Sequence, residues 1–361
     1  MSFQTIEQQI LIKTSRLTLN ENDIDLPDIQ NVNYFELFKL ALYHKTLTLC
    51  FSNIKKYYPK AIIPKYLQSI LYYSFNAIKN QNEIFLKELD NIVLKLMENQ
   101  VTCLPVKGGM LIPLIYKDYG IRYMGDLDCL VKYSDINKLD EVMTELGYMQ
   151  GRYNSIDNTI IPISRTEKLK WKMYMSNLHP YLKISGDINH PYFKFDFRFS
   201  LDDTLNKEPV DIILKEYDDT REINPAHVFI HLCTHFYNEA KHSSSIYTGK
   251  DFNLIKLCDI REFYLQCMNK NNYLDYVIKF ADNYMFQKHI YFTLYCLNLI
   301  YHDGYEESFM ERLKIEDEIF INTFGDNTKQ ENKVFKKSFW DRLFSCNNAD
   351  ELNSLPQYFE E

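Results

Sequence analysis

Apolar residues recur at helical spacing near both ends of the chain, and strand-like runs lie between them. From about 33 to 58, and again in two helical runs from about 64 to 99, apolar positions repeat every three or four residues, as they do on one face of a helix. Short apolar runs separated by polar turns follow, and helical spacing returns from 224 onward. We therefore predict a helical region over 1–99, an α/β core over 100–223 and a second helical region over 224–361.

The central region contains runs that are typical of strands. VTCLPVKGG ends in glycines, GIRYMGDLDCLVK alternates in character, and YLKIS and YFKFDFRFS are joined by the turn-rich GDINHP. The segment SDINKLDEVMTELGY predicts a helix with Ser134 as its N-cap and Gly147 at its end. These elements predict an α+β fold, in which a small mixed sheet with flanking helices is embedded between an N-terminal and a C-terminal helical region.

Composition supports a globular, mainly helical protein. The 361 residues are 46% hydrophobic, with 28 Tyr and 24 Phe but only 10 Gly and 11 Pro. A net charge of -8 argues against a protein that grips extended nucleic acid, because neutralising phosphates requires a concentrated cationic surface. The eight cysteines form no CxxC pair, the first residues are polar, and no uncharged apolar run is long enough to span a membrane. We therefore expect reduced thiols, a cytoplasmic location and no membrane partner.

Carboxylates are placed at strand spacing in two separate runs. Asp126 and Asp128 are two residues apart, so in a strand they share one face at roughly 6 to 7 Å while Leu127 and Cys129 point into the core. In the later run YFKFDFRFS the same alternation places Asp196 on the polar face, opposite the phenylalanines. We predict that this third carboxylate joins the other two at one cleft.

Such a cluster calls for cations. At about 5 Å and an effective dielectric near 20, each pair of carboxylates costs about 3 kcal/mol in repulsion. Hard oxygen ligands select Mg²⁺, which keeps waters and takes substrate phosphates in its remaining positions, and two such ions clamp an in-line displacement. We predict that Asp126, Asp128 and Asp196 bind two Mg²⁺ ions and that Asp196 also helps to deprotonate an acceptor hydroxyl or amine.

A strand that runs into two glycines and then a helix is suited to bind phosphate. Without a Cβ at Gly108 and Gly109, backbone N–H groups approach a phosphate closely at the start of the helix. Lys107 and Arg122 are the nearest cations, and we expect them to neutralise charge on the leaving pyrophosphate. These four residues therefore form the predicted binding site for a nucleoside triphosphate.

The order of these motifs resembles the polymerase-beta-like nucleotidyltransferase superfamily, whose pattern is hG[GS], then Dx[DE], then a third acidic residue on a later strand. PVKGGMLIPLIY followed by GIRYMGDLDCLVKYSDINKLDEVMTELGY resembles more closely a bacterial family of uncharacterised nucleotidyltransferases, which has a Leu-Lys-Gly segment, an Arg before Asp-x-Asp-x-Leu-Val and a helix that ends in Gly-Tyr. FDFRF resembles that family's Asp-x-His/Arg strand, and IHLCTHFYNEAK with LCDI resembles its helical region. The resemblance covers roughly residues 100 to 265.

The resemblance implies the transfer of a nucleoside monophosphate (NMP) from a nucleoside triphosphate (NTP), with Mg²⁺ held by Asp126, Asp128 and Asp196, and we expect ATP to be among the NTPs that bind. It does not imply an acceptor. The chain departs from the wider pattern at Gly109, where Ser is common, and at Pro105 and Val106, where an unbroken apolar strand is commoner. A side-chain hydroxyl contact to phosphate is therefore not expected here.

Three histidines, His227, His231 and His235, recur every fourth residue and form one stripe on a predicted helix. Leu232 occupies the position at which HExxH zinc hydrolases carry their glutamate, which argues against that class. Two interpretations stay open: the histidines pack at a domain junction against Asp259 or a tyrosine, or His231 or His235 borders the nucleotide cleft and contacts phosphate or acceptor. Zinc hydrolysis through His231 and His235 is a third, less favoured hypothesis.

The sequence as a whole predicts a cytoplasmic nucleotidyltransferase with NTP and a small-molecule or peptide acceptor as partners. The alternative is a catalytically silent member of the fold that acts as a binding or regulatory protein. The acidic cluster argues against that alternative, because a scaffold has no reason to keep carboxylates that repel one another.

Overall fold

Helices occupy most of the chain, and a six-stranded sheet interrupts them in its middle. The structure is a computed structural model that describes residues 4–19, 29–187, 189–268, 273–325, 333–345 and 347–352. The helices are α1 (Ile6–Thr14), α2 (Tyr34–Tyr43), α3 (Leu47–Tyr57), α4 (Lys65–Glu98), α5 (Gly108–Leu111), α6 (Ile136–Glu145), α7 (Arg165–Tyr174), α8 (Glu208–Thr220), α9 (Pro225–Lys241), α10 (Ser243–Tyr247), α11 (Leu254–Phe263), α12 (Tyr273–Tyr284), α13 (Gln287–Ile300), α14 (Tyr305–Arg312) and α15 (Phe339–Phe344). The strands are β1 (Cys103–Pro105), β2 (Leu127–Val131), β3 (Met149–Asn154), β4 (Thr159–Pro162), β5 (Tyr181–Ile184), β6 (Tyr192–Arg198), β7 (Thr323–Phe324) and β8 (Lys333–Val334).

The chain forms two compact units. The central unit comprises Phe75–Val228, and the split unit comprises Met1–Ser74 together with Phe229–Glu361. The three carboxylates and the two glycines of the predicted site all belong to the central unit. The division by element type at 99 and 223 stays a prediction.

The sheet of the central unit is mixed, and its strand order is β1-β2-β6-β5-β3-β4. Strands β2 and β6 are parallel neighbours, whereas the other pairs in the sheet are antiparallel. Helices precede, interrupt and follow its strands along the chain, so the predicted α+β fold with a small mixed sheet and flanking helices is confirmed. The parallel pairing of β2 with β6 brings together two strands that are more than 60 residues apart in the sequence.

One face of this sheet is the core of the central unit. The phenylalanines of β6, with Phe195 and Phe197 at 0% exposure, pack with Leu127 and Cys129 of β2 in a single apolar cluster. Side chains from the second half of α4, such as Leu89, belong to the same cluster. Because successive side chains of a strand point to opposite faces, the polar residues of β2 and β6 lie on the other side of the sheet.

Some local expectations were wrong. The segment from about 64 to 99 is the one 34-residue helix α4 rather than two runs. Helix α6 begins after a 3₁₀ turn, with Asp135 rather than Ser134 as its N-cap, because the Ser134 hydroxyl donates to the Asp135 carboxylate instead. Gly147 follows α6 with φ +82°, in agreement with its predicted role at the end of that helix.

Helices make up most of the split unit, and its interior contains buried ions. Arg261 is fully buried on α11 and pairs with Glu262 at 2.6 Å and with Asp303 at 2.5 Å, so its charge is compensated. The seven described cysteines are free thiols, and Cys346 lies outside the described residues. None of the described helices combines the length and the apolar character that crossing a bilayer requires.

Candidate active site

Strands β2 and β6 place two carboxylates side by side. Asp128 and Asp196 are register partners in this parallel pair, so their side chains leave the same face of the sheet. Neighbouring strands are about 4.8 Å apart. Asp126 lies two residues before Asp128, immediately ahead of β2, and therefore approaches the same face. The structure thus brings the three predicted acidic residues to one region of the central unit.

The apolar pattern of β6 fixes this arrangement. The strand alternates between buried phenylalanines and half-buried polar residues along its whole length. A shift of one residue in register would turn Phe195 and Phe197 to the polar face and Asp196 into the core. The burial of the phenylalanine side chains therefore determines that Asp196 points toward Asp128.

Lys107 forms an ion pair with the innermost carboxylate. Its Nζ lies 2.6 Å from Oδ1 of Asp128, and the two side chains are only 16% and 8% exposed. The amide of Val106 also donates to the backbone oxygen of Asp128 at 3.0 Å, which ties the end of β1 to β2. Lys107 itself has φ 49° and ψ -128°, a conformation that is strained for any residue except glycine. The backbone therefore adopts an unfavourable conformation at Lys107, the residue whose ammonium group pairs with Asp128.

The electrostatic environment of Asp128 favours its protonated form. Burial is the main cause, and the negative charges of Asp126 and Asp196 add to it, so the pKa of Asp128 rises to about 6. The ammonium of Lys107 opposes this rise. The three carboxylates are thus close enough to affect one another, and a further cation near them would stabilise the charged form of Asp128.

Lys194 is a functional candidate that the sequence reasoning did not select. Its Nζ lies 3.1 Å from Oδ2 of Asp126. Burial works against its charge, but Asp126 and then Asp196 outweigh burial and raise the pKa of Lys194 above its usual value. The signal was present in the sequence, because the alternation of YFKFDFRFS places Lys194 on the same face as Asp196.

Asn177 holds the third carboxylate and was also missed. Its side-chain Nδ2 donates to Oδ1 of Asp196 at 2.6 Å, and its Oδ1 accepts from the indole N–H of Trp171 at 3.3 Å. An isolated bridge between Asn177 and Arg198 places it beside the end of β6. No sequence pattern points to Asn177, since it lies between α7 and β5 and its role arises only from the tertiary fold.

The two glycines are required by close packing. A Cβ on Gly108 would lie 2.7 Å from Nη1 of Arg122 and 2.8 Å from Sδ of Met124, and a Cβ on Gly109 would lie 2.6 Å from Cδ2 of Leu89. Arg122 is 9% exposed, and its guanidinium lies against the first residue of α5. The first N–H groups of a helix have no acceptor within it. The guanidinium of Arg122 thus lies beside the first N–H groups of α5, where the sequence predicts a phosphate site.

The fit of these residues to Mg²⁺ depends on how many carboxylates the ion takes. Within the ranges that the structure describes, no three His, Cys, Asp or Glu side chains are grouped closely enough to hold a metal ion. Asp126, Asp128 and Asp196 are turned toward Lys194, Lys107 and Asn177, and their joint binding of a metal ion stays a prediction. Mg²⁺ nevertheless takes one or two protein carboxylates and completes its shell with water and phosphates. The carboxylates of the register partners Asp128 and Asp196 are donors of that kind, and they fit the ion.

The histidine stripe lies along α9, whose residues are divided between the two units. His227 belongs to the central unit, where its Nε2 lies 3.6 Å from Glu216, and burial lowers its pKa to about 4. His231 and His235 belong to the split unit, where their rings stack at 6.3 Å and His235 lies 3.1 Å from Glu239. The contacts predicted for His231 and His235 with phosphate or acceptor stay predictions.

Comparison with known proteins identifies a family. Residues 30–302 match the model of a protein family described as "Uncharacterised nucleotidyltransferase". This range contains every residue of the site described above. No curated protein matches the chain significantly, and no solved structure does so.

Proposed function

The chain belongs to the family of uncharacterised nucleotidyltransferases, and from this premise we propose that it is a Mg²⁺-dependent enzyme that transfers an NMP from an NTP to an acceptor. The acceptor group is a hydroxyl or an amine, and pyrophosphate is released. The proposal includes membership of the polymerase-beta-like superfamily, a bacterial origin, ATP as one usable NTP and a cytoplasmic location.

The pairing of Asp128 with Asp196 in register is the observation that carries this proposal. A buried carboxylate with a raised pKa beside a second carboxylate is costly in a scaffold but useful in a metal site. Asp126, Asp128 and Asp196 would hold Mg²⁺, in one or two ions. When bound, the ions would neutralise phosphate oxygens and assist both the attacking and the leaving oxygen.

The remaining steps belong to side chains of the central unit. Asp196, whose orientation is fixed by Asn177, accepts the proton of the acceptor hydroxyl or amine as it attacks the α-phosphorus. The amides at Gly108 and Gly109, with Arg122 beside them, bind the triphosphate and stabilise the charge that develops on pyrophosphate. Lys107 adds a second cation at the same end of β1.

The nature of the acceptor follows from the overall charge. With a net charge of -8, long nucleic acid is repelled at low salt, so we propose a small molecule or a peptide as the acceptor. In this proposal His231 or His235 contacts phosphate or acceptor, and neither extended nucleic acid nor a membrane is a partner.

The test is a transfer assay. The protein is incubated with each labelled NTP and a fractionated lysate, and mass spectrometry searches for molecules that have gained an NMP. Asp126→Ala with Asp128→Ala should abolish incorporation. Asp90→Ala with Asp157→Ala is the matched control, because it removes the same charge from exposed positions of the same unit. Equal incorporation by the active-site variant and this control would contradict the mechanism.

A second function is favoured by one observation, the pairing of Asp126 and Asp128 with lysines. A catalytically silent binding or regulatory protein would keep its carboxylates stable in this way without any metal. Thermal unfolding separates the two functions: NTP and Mg²⁺ together should raise the unfolding temperature of an enzyme by more than either alone. Indifference to Mg²⁺ in the presence of every NTP would favour the silent protein.

A further inference from the structure

Two ion pairs of unequal exposure hold the carboxylates of the site. In the inner pair the side chains of Lys107 and Asp128 are 16% and 8% exposed. In the outer pair those of Lys194 and Asp126 are 31% and 41% exposed. The inner pair is therefore shielded from solvent, whereas water and hydrated ions reach the outer pair.

The two lysines belong to a cluster of five charged side chains. The others are the carboxylates of Asp126, Asp128 and Asp196, which interact electrostatically with one another and with the lysines. Lys194 interacts electrostatically with all three carboxylates, and it lies on β6 two residues from Asp196. Its position makes it a counter-ion for the whole cluster rather than for Asp126 alone.

We propose that Lys194 is a tethered counter-ion that occupies Asp126 until a divalent cation binds and then leaves it. This inference rests on the proposed function, since it concerns the same carboxylates, but it assigns a role to a residue that neither the sequence motifs nor the family match singles out. Lys194 and the metal compete for Asp126, and the lysine sets the concentration at which the site fills.

The outer pair is the one suited to exchange. A partly exposed ion pair contributes little to stability, so its separation is easily offset by a new ligand. Breaking a buried pair such as Lys107–Asp128 leaves an uncompensated charge in the interior, which is far more costly. Mg²⁺ also releases its waters reluctantly, and a carboxylate in contact with solvent lets the ion keep them.

Exchange of the ammonium for a metal ion also explains why a lysine is useful at position 194. A divalent ion at Asp126 supplies more positive charge than the ammonium of Lys194, so that ammonium is no longer needed there once the metal has bound. It stays on the same face of the sheet as Asp196 because β6 fixes its backbone. There the ammonium of Lys194 is available to bind the anionic triphosphate, which in the proposed function binds at this face of the sheet.

The experiment measures divalent-ion affinity directly, without nucleotide and without turnover. Isothermal titration with Mg²⁺ and Mn²⁺ at fixed ionic strength compares the unmodified chain with Lys194→Met. Because the competing ammonium is removed and the negative potential of the cluster grows, the variant should bind about tenfold more tightly. Lys194→Arg, which keeps the charge, should bind like the unmodified chain.

Lys183→Met is the matched control. Lys183 lies on the neighbouring strand β5, is 32% exposed, and pairs with Glu88 at 3.0 Å, so it equals Lys194 in exposure and in ion pairing but belongs to no carboxylate cluster. Its loss should leave metal affinity unchanged. A second comparison uses thermal unfolding, in which added Mg²⁺ should stabilise Lys194→Met more than it stabilises Lys183→Met.

Equal or weaker metal binding by Lys194→Met would overturn the inference, and so would the absence of binding in both Lys194→Met and the unmodified chain. If Lys194→Met does not fold, Lys194→Gln takes its place under the same criteria. If Lys194→Met retains NMP transfer and binds the metal with the affinity of the unmodified chain, only the role of Lys194 is rejected. Transfer that survives in the Asp126→Ala, Asp128→Ala variant rejects the proposed function itself.

Discussion

The guanidinium of Arg122 lies so close to Gly108 that a single methyl group between them would be 2.7 Å from Nη1. Glycine is therefore required at this position by the guanidinium of Arg122 and by the side chain of Met124, which a Cβ would also meet. The contact links the loop before β2, which carries Arg122, to the start of α5, which follows β1. The proposed phosphate site depends on this contact, because it holds a positive charge next to the first amides of the helix.

Gly108→Ala should displace Arg122 and weaken nucleotide binding. Overpacking of this kind costs about 1 to 3 kcal/mol in the free energy of unfolding. If Arg122 contacts phosphate, its displacement should lower kcat/KM for the NTP by about 10- to 100-fold. Stability is measured by denaturant unfolding, and kcat/KM by steady-state NMP transfer.

Gly109→Ala separates the two effects. Its new Cβ would meet Cδ2 of Leu89 at 2.6 Å, so this variant is also overpacked, but against the apolar core and away from Arg122. We expect a similar loss of stability with a smaller loss of kcat/KM. Equal kinetic losses in both variants would show that Arg122 has no special role.

Lys107→Gly should be more stable than Lys107→Ala. Both variants lose the ammonium that pairs with Asp128, so they differ only in how they tolerate φ 49° and ψ -128°. Backbone strain in a non-glycine residue lowers the free energy of unfolding by about 1 to 3 kcal/mol. Glycine avoids this strain, but it also lowers stability because it gives the unfolded chain more conformational entropy, and this smaller effect offsets part of the gain. A net advantage of about 1 kcal/mol for glycine is expected from urea unfolding without metal. If alanine is equally stable or more stable, the backbone at this position is not strained.

The grouping of the acidic residues could be predicted because Asp128 and Asp196 lie on strands, and Asp126 next to one, whose alternation is visible in the sequence. The buried phenylalanines of β6 identify the opposite face, and Asp196 follows directly from them. The pairing of β2 with β6 could not be read from the chain, because strand pairing depends on which surfaces meet after folding. The family resemblance supplied that step.

Other features could not be predicted, for separate physical reasons. Asn177 lies between two elements, and only the folded chain places its amide 2.6 Å from Asp196. Helix α7 contains no fully buried residue, so it has no strong apolar periodicity to reveal it. Lys194 was overlooked, and Lys107 was assigned to pyrophosphate rather than to Asp128, because the repulsion between carboxylates was assigned to metal ions alone.

Binding of Mg²⁺ should weaken as the pH falls below about 6. The folded-state pKa of Asp128 is raised to about 6 by burial and by its acidic neighbours, and a protonated carboxyl does not bind the ion. Affinity should fall by about tenfold per pH unit below that value and level off above it. Titration calorimetry between pH 5 and pH 8 measures the profile, with Asp128→Asn as the variant that should lose it.

The carboxyl of Asp128 also affects the stability of the metal-free chain, but in the opposite direction: metal binding is favoured by higher pH, whereas stability is favoured by lower pH. Because the folded state of an acid with a raised pKa binds more protons than the unfolded state, the free energy of unfolding should decrease as the pH rises from about 4 to about 6. Asp128→Asn should remove this component. A Mg²⁺ affinity that stays constant from pH 5 to pH 8 would contradict the assignment of Asp128 as a ligand.

Asn177→Leu should reduce catalysis with little effect on NTP binding. The leucine side chain has similar volume but donates no hydrogen bond, so Asp196 loses the group that orients it. Because Asp196 acts on the acceptor in the proposed mechanism, kcat should fall by about tenfold while KM for the NTP changes little. Trp171→Phe removes only the donor to Asn177 and should give a smaller decrease in kcat. A rise in KM for the NTP with unchanged kcat would place Asn177 in nucleotide binding instead.

The split unit should lose stability in acid because of its buried histidines. Burial lowers the pKa of both His44 and His289 to about 3, so their imidazoles stay neutral in the folded state where the unfolded chain is already protonated. Stability is therefore lost as the pH falls from about 6.5 toward 3, by about 1.4 kcal/mol per pH unit for each histidine. His289→Leu should remove one of the two contributions, which appears as a shallower decrease of the free energy of unfolding between pH 6 and pH 4.5. His302→Asn is the control, because His302 is exposed and asparagine tolerates its φ of 55°. If His289→Leu shows the same pH dependence as the unmodified chain and the control, proton uptake by His289 plays no part in acid unfolding.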